Sequence, residues 1–201
     1  MKKISFFIAS LAISAVSFAQ TVWDFSAIYP LTSGNVAQAA QGIKDNLGYF
    51  VNPFSATPNT AFTIDYSSKK FASNGTFQGG ALTSRLKLGG KGSDSTSVNC
   101  FLPTTNFLYF SVKGPCEITV FCRASTSNAT DGRSLYITDG TKLLGLYTPP
   151  VTSSDEPTLV KASYTGNGGN IYIYGYKNAF NIYRIEVSAN TGETKLIPAT
   201  K

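Results

Sequence analysis

The 201-residue chain contains no histidine, and that absence removes much of enzyme chemistry from consideration. Ser-His-Asp and Cys-His nucleophilic schemes, histidine-ligated zinc and most imidazole acid–base catalysis are excluded in their usual forms. Cysteine is scarce as well. Of Cys100, Cys116 and Cys122, the last two alternate with Ile118 and Val120. In an extended strand their sulfurs would lie about 20 Å apart, outside disulfide reach, so both read as small buried hydrophobes. A bridge from Cys100 to one of them stays open, and no zinc spacing is present. Charge is also sparse, with 14% of residues charged and a net charge of +6. The basic residues are scattered, with no run beyond Lys69-Lys70, so the clustered footprint of a nucleic-acid-binding protein is missing. An acidic polysaccharide remains compatible with this balance, as does plain solubility.

Long apolar runs are missing except at the start. Lys2-Lys3, the apolar stretch from Ile4 to Val16 and Ser17-Phe18-Ala19 have the three-part pattern of a signal peptide over residues 1–19, with cleavage predicted after Ala19. The stretch is too short for a membrane span, which needs about 20 apolar residues, and no later segment qualifies. The expected product begins at Gln20, carries a net charge of +4, and is secreted or periplasmic.

What the chain has in quantity is strand and turn chemistry. About 180 residues after the leader suit one domain, and the abundance of Gly, Ser, Thr and Asn predicts an all-β fold, an antiparallel β-sandwich of jelly-roll-like form. Strands are predicted over 22–25, 49–51, 61–66, 82–88, 107–112, 116–123, 133–138, 143–148, 158–164, 170–174 and 181–187. Asp139-Gly140 is a hairpin signal, and Gly114-Pro115 is a break of the same kind. Residues 35–47 place Val36, Ala39, Ala40, Ile43 and Leu47 near helical spacing, which predicts a short helix or irregular loop within an insertion at 35–58. The domain is expected to span 20–188, followed by a short polar, frayed tail at 189–201.

The chemistry-bearing feature is the pair of closing runs, Gly168 to Lys177 and Phe180 to Val187, rich in tyrosine. Tyrosine offers flat apolar faces with a hydroxyl tip, which is the chemistry that grips sugar rings, although it is also a good half-buried strand residue. Tyr172 and Tyr174 share one strand face and Ile171 and Ile173 the other. Either the Ile face fills the core with the tyrosines exposed, or both faces are buried beneath an overlying loop. Tyr136 should point outward if Leu135 is core. The loop pair Tyr176-Lys177 is the leading site element, because loops at sandwich ends carry recognition. Candidate ligand-binding residues are therefore Tyr174, Tyr176, Lys177, Tyr136, Arg133 and Lys142, with Trp23, Tyr147 and Tyr172 as further platform rings and the cations meeting carboxylates of a pectin-like ligand.

No cofactor is expected, although carbonyl and carboxylate ligation leaves room for a structural calcium ion, with Asp24 and Asp94 as weak candidates. Acidic residues are few, and Glu117 and Glu186 alternate with apolar residues and so should face solvent. Paired-carboxylate glycoside hydrolysis is accordingly poorly supplied. A polysaccharide lyase needs only Tyr with Lys or Arg, which Tyr174, Tyr176, Lys177, Tyr183 and Arg184 provide.

Five motifs in order carry a family resemblance: Val22-Trp23-Asp24-Phe25-Ser26; Ser84 to Gly90; Val112 to Val120; Arg133 to Thr141; and Ile171 to Tyr174 with Asn181 to Val187. Together they resemble the non-catalytic β-sandwich modules that accompany secreted pectate lyases and related polysaccharide-degrading enzymes in Bacteroidetes-type bacteria. The resemblance implies a jelly-roll-like fold, a polysaccharide ligand, polysaccharide-degrading enzymes as partners and no catalysis. The closing run also faintly resembles the Tyr/Lys-rich final strand of jelly-roll alginate lyases, whose Gln-Ile-His element is missing here. A structural or adhesive surface protein with no specific glycan ligand is the alternative from another class.

Overall fold

A computed structural model of the protein describes residues 20–37, 41–51, 62–90, 92, 101–189 and 191–198. In chain order the elements are β1 (Thr21–Asp24), α1 (Phe25–Ile28), β2 (Asn35–Ala37), β3 (Gln41–Lys44), β4 (Leu47–Phe50), β5 (Phe62–Phe71), β6 (Gly80–Leu88), β7 (Phe107–Val112), β8 (Cys116–Ala124), β9 (Ser134–Thr138), β10 (Leu143–Tyr147), β11 (Thr158–Tyr164), β12 (Gly169–Tyr176) and β13 (Phe180–Val187). They form a seven-stranded sheet, ordered β11-β8-β13-β6-β5-β2 with β1 also on β13, and a six-stranded sheet, ordered β10-β9-β12-β7-β4-β3. Every pairing is antiparallel. The result is a jelly-roll-like sandwich, as the turn-punctuated strand pattern predicts. No helix among the described residues is long and apolar enough to cross a membrane.

Strand alternation decides the core. Ile171 and Ile173 of β12, Leu135 and Ile137 of β9, and Leu108, Phe110 and Val112 of β7 point inward. They meet Ile118, Val120 and Cys122 of β8, Leu86 and Leu88 of β6, and Ile182, Ile185 and Val187 of β13. Each fully buried Ile, Leu or Phe contributes about 1.5–3 kcal/mol over leaving it exposed. Trp23 joins this core, its ring 5.0 Å from Phe110 and its Nε1–H donating to Asp45 O. Cys116 and Cys122 are free and buried in the same cluster, so their strand-face reading holds. Burial pushes the Cys122 thiol up, and pushes that of Cys116 up to about 11. Cys100 lies outside the described residues.

On β13 the inward positions are 180, 182, 185 and 187, one residue out of strict alternation. A bulge in its pairing with β8, between Ile182 and Arg184, absorbs the extra residue and leaves Tyr183 and Arg184 both on the outer face. The same point marks a change of neighbour, from β6 along Phe180–Ile182 to β1 along Arg184–Val187.

Several local expectations change. Where helical spacing over 35–47 predicts a helix or irregular loop, the described residues form β2, β3 and the start of β4. Gly42, a poor helix residue, instead pairs with Tyr49, and the reversal at Asp45-Asn46 takes positive φ at both residues. Gly114-Pro115 carries the chain from one sheet to the other and so makes no hairpin. At the β9–β10 hairpin the central turn residues are Gly140 and Thr141, and Asp139 Oδ1 accepts from the Thr141 and Lys142 amides. The tail is not frayed over 191–197. Thr191 bridges Val112, Gly192 N–H donates to Ser111 O, and Thr194 is held to Asn46 at both its backbone amide and its hydroxyl. Glu186 is buried, because the β5–β6 hairpin folds over it: Asn74 Nδ2–H donates to Glu186 Oε2 at 2.7 Å. Glu117 is exposed, as alternation predicts.

Candidate functional site

The outer face of the six-stranded sheet is a continuous aromatic surface. Phe50 on β4, Phe107 and Tyr109 on β7, Tyr172 and Tyr174 on β12, and Tyr136 on β9 form one buried cluster. Phe50 stacks on Phe107 at 4.6 Å, Tyr172 meets Phe107 edge-on at 5.6 Å, and Tyr136 lies 5.5 Å from Tyr174. Tyr174 is fully buried and Tyr136 and Tyr172 are 6% and 8% exposed. Of the two arrangements that alternation permits, the covered one is present: the Ile face fills the core and the Tyr face has its own roof.

Glycines make room for the rings, Gly92 under the covering loop and Gly48 as the β4 cross-strand partner of Tyr109. A Cβ on Gly92 would lie 2.4 Å from Tyr174 Cβ, and one on Gly48 would lie 2.3 Å from Tyr109 Cζ. Gly92 N–H donates to Gly175 O, and Gly92 O accepts from the amides of Thr104 and Thr105, which fixes residues 101–105 against the sheet. Thr138 Oγ1 donates to Phe101 O. Over Tyr109 the cover is the C-terminal segment, with Ile197 N–H donating to the Tyr109 hydroxyl. Burial pushes the pKa of the Tyr109 and Tyr136 phenols above the ordinary range.

The ring row emerges only at its end, beside the β12–β13 turn. Tyr176 is half-buried and stacks on Tyr136 with centroids 5.2 Å apart and planes 19° apart. Lys177 is exposed, and its ammonium stands 5.7 Å from the Tyr176 centroid. Lys177 adopts a φ of +66°, which completes the turn, and Gly175 is required because a Cβ there would lie 2.3 Å from Asn178 O. Asn178 Nδ2–H donates to Asp131 Oδ2 at 2.7 Å, tying this turn to the β8–β9 loop.

Arg133, expected to meet a ligand carboxylate, is 6% exposed and reinforces that tie. Its Nε and Nη2 donate to the two oxygens of Asp131, and its Nη1 donates to Ser125 Oγ and Ala179 O. The guanidinium is thus a clasp between loops. Its hydrogen bonds are the main reason the Asp131 carboxyl drops to about 2, with Asn178 adding to the effect. Lys142 sits elsewhere. The register opposes Tyr172 to Thr138 and Tyr176 to Ser134, so the turn bearing Lys142 lies at the far end of β9, about 13 Å away along the strand.

The structure therefore brings together Tyr136, Tyr174, Tyr176, Lys177 and Arg133, and separates Lys142 from them. Trp23 and Tyr147 belong to the inner core, Tyr147 packing on Phe180. Asp131 and Asn178 complete the site, and the sequence singled out neither as a site residue. Nothing local in the sequence indicates that Asn178 reaches Asp131 across the two loops.

The lyase set divides between the two outer faces. Tyr174, Tyr176 and Lys177 lie with the six-stranded sheet, whereas Tyr183 is buried on the other side beneath Phe71. Arg184 there pairs with Asp24 and Glu186, each at 2.7 Å. The two groups do not converge on one bond. Asp24 is a poor calcium ligand, since Oδ1 accepts from the Ser26 and Ala27 amides and Oδ2 from Arg184. Among the described residues no three Cys, Asp or Glu side chains gather to hold a metal. Asp94 is outside them.

No protein-family model matches the chain, and no curated protein matches it. Solved structures with similar folds include a chain from work on glycan recognition in the Ruminococcus flavefaciens cellulosome, at 16% identity and TM-score 0.42, covering 86% of this chain and 97% of that one. Another is the C-terminal family 6 carbohydrate-binding module of a marine laminarinase from Zobellia galactanivorans, at 14% identity and TM-score 0.32, covering 71% and 98%. A third is a carbohydrate-binding module of a Cellvibrio mixtus lichenase in complex with cellotriose, at 14% identity and TM-score 0.28, covering 62% and 87%. At these scores the likenesses carry no argument about function.

Proposed function

We propose that the protein is an exported, non-catalytic glycan-binding module whose recognition element is the sandwich end built by Tyr176, Lys177, Asn178 and Asp131. The observation that carries the reading is Tyr176 itself: a half-exposed ring, held flat by its stack on Tyr136, with an ammonium and a carboxylate–carboxamide pair beside it. A sugar's axial C–H groups pack on such a ring while its hydroxyls find the flanking polar atoms. Arg133 and Asp131 neutralise each other, and Lys177 supplies the remaining positive charge, so a uronic-acid polymer of the pectin type is the favoured ligand. Polysaccharide-degrading enzymes are its expected partners.

Affinity electrophoresis through homogalacturonan, alginate and neutral xylan tests this. Retardation by homogalacturonan is expected, and Tyr176→Ala should weaken it about tenfold, roughly 1.4 kcal/mol, with Lys177→Ala weakening the acidic polymers alone. No retardation in any gel overturns the binding reading, and release of unsaturated chain ends would establish a lyase. The rival reading, a structural or adhesive surface protein, draws on the burial of Tyr136, Tyr172 and Tyr174, and absence of retardation would favour it.

A further inference from the structure

Gln20 stands immediately before β1, is exposed, and lines an open groove of about 440 Å³ with Thr76, Pro115 and Ser188. The ladder holds the next residue: Thr21 is registered with Val187. Ser188, the position that would oppose Gln20, is turned toward β8 instead, its N–H donating to Glu117 O and its Oγ accepting from Glu117 N–H. Gln20 thus lies beyond the last β1–β13 pair and is exposed.

A glutamine at a free amino terminus has a reaction of its own. The α-amine attacks the side-chain Cδ, a new N–Cδ bond forms, the Cδ–Nε2 bond breaks, and the amide nitrogen leaves as ammonia. The product is a five-membered lactam, reached with no oxidant or co-reactant, and the terminal positive charge is lost as it is on other amino-terminal blocking. We propose that the exported chain carries Gln20 as this pyroglutamyl lactam. The proposal rests on the reading of residues 1–19 as a cleaved leader, and the groove supplies room for the ring.

The consequence falls on β1. Three residues past Gln20 lies Trp23, in the core and 2% exposed, followed by Asp24, which pairs with Arg184 and caps α1. Stepwise removal of residues 20–22 by an aminopeptidase would bring the end of the chain to that anchor. A lactam has no free α-amine for such an enzyme to bind, so closing the ring protects β1, which together with β8 pairs with Arg184–Val187 of β13.

The full chain, expressed in a bacterium that processes export leaders, is recovered from outside the cytoplasm and its intact mass and N-terminal peptide are measured. The expected product begins at position 20, weighs one ammonia less than the open chain, and yields to aminopeptidase only after treatment with a pyroglutamyl peptidase. The Gln20→Asn chain, too short in the side chain to close a five-membered lactam, should begin at the same position at full mass and be trimmed directly. Native protein beginning at Gln20 with an open amine overturns the proposal while leaving the leader reading standing. A different first residue overturns the leader reading and the proposal with it.

Discussion

Both sheets cover their outer faces, and they do so by different means. The seven-stranded sheet uses its own β5–β6 hairpin, which bends at the bulge between Tyr66 and Lys69 and lays Phe71 and Phe77 over Phe121 and Tyr183. Charge locks that cover. The Arg184 guanidinium lies 5.2 Å from the Phe77 centroid and 5.9 Å from Phe121 while pairing with Asp24 and Glu186. The six-stranded sheet uses segments remote in sequence, and over Tyr109 the lock is neutral. Asn46 accepts from Thr194 N–H and Thr194 Oγ1–H and donates to Thr191 Oγ1 and Gly192 O. A charged lock leaves unpaired buried ions when it breaks, whereas a neutral one leaves groups that water can satisfy. The first cover should therefore open only with global unfolding, and the second can open alone.

The sharpest break is Arg184→Ala. It strands the 5%-exposed Glu186 carboxylate and the Asp24 carboxylate, so a loss of about 3–5 kcal/mol is expected in urea unfolding. A loss under 1 kcal/mol would show that the charge adds little to the cover. Next is Asn46→Gly, which keeps the φ of +66° accessible and deletes the side-chain bonds. A smaller global loss, about 1–3 kcal/mol, should accompany a marked rise in amide exchange and protease cleavage at 191–198. Unchanged exchange there would place the strength of this cover elsewhere.

A gentler probe is pH. The Asp131 carboxyl is held at about 2 in the folded protein against an ordinary 3.8, so its folded value is depressed. Its contribution is present in full above the ordinary value and disappears as pH falls through about 2. Asp131→Asn should thus be less stable than the parent at pH 7, with the gap narrowing below pH 4, as thermal unfolding across pH would record. A gap independent of pH would assign the difference to packing. The smallest effect belongs to Lys142→Ala, whose glycan retardation should match the parent; a drop equal to that of Lys177→Ala would move the site to the other end of β9.

Much of the fold is legible in the residues. Runs such as Phe107 to Val112 and Thr158 to Tyr164 have strand bounds matching the sequence-predicted ones, because aromatic and β-branched residues stop abruptly at Gly, Pro and Asn. The stretch from 35 to 47 misleads because residues of three short strands, β2, β3 and β4, can mimic a helical period when read as one run. The site is legible by composition alone. Tyr176-Lys177 stands out in the sequence, but Arg133 reads there as a free cation, whereas Asp131 and Ser125 nearby and Ala179, from a loop 46 residues away, claim its guanidinium.

By itself the sequence determined most of the strands outside 35–47, the inward faces of β7, β8, β9 and β12, the buried thiols and the exclusion of histidine chemistry, since these follow from composition, local propensity and a period of two. Tertiary structure alone decided which outward faces see water. Alternation can turn Tyr172 and Tyr174 away from the core, but only the approach of residues 92, 101–105 and 191–197 buries that aromatic surface and leaves Tyr176 and Lys177 at its open end. Such contacts are long-range, and no periodicity in the chain encodes them.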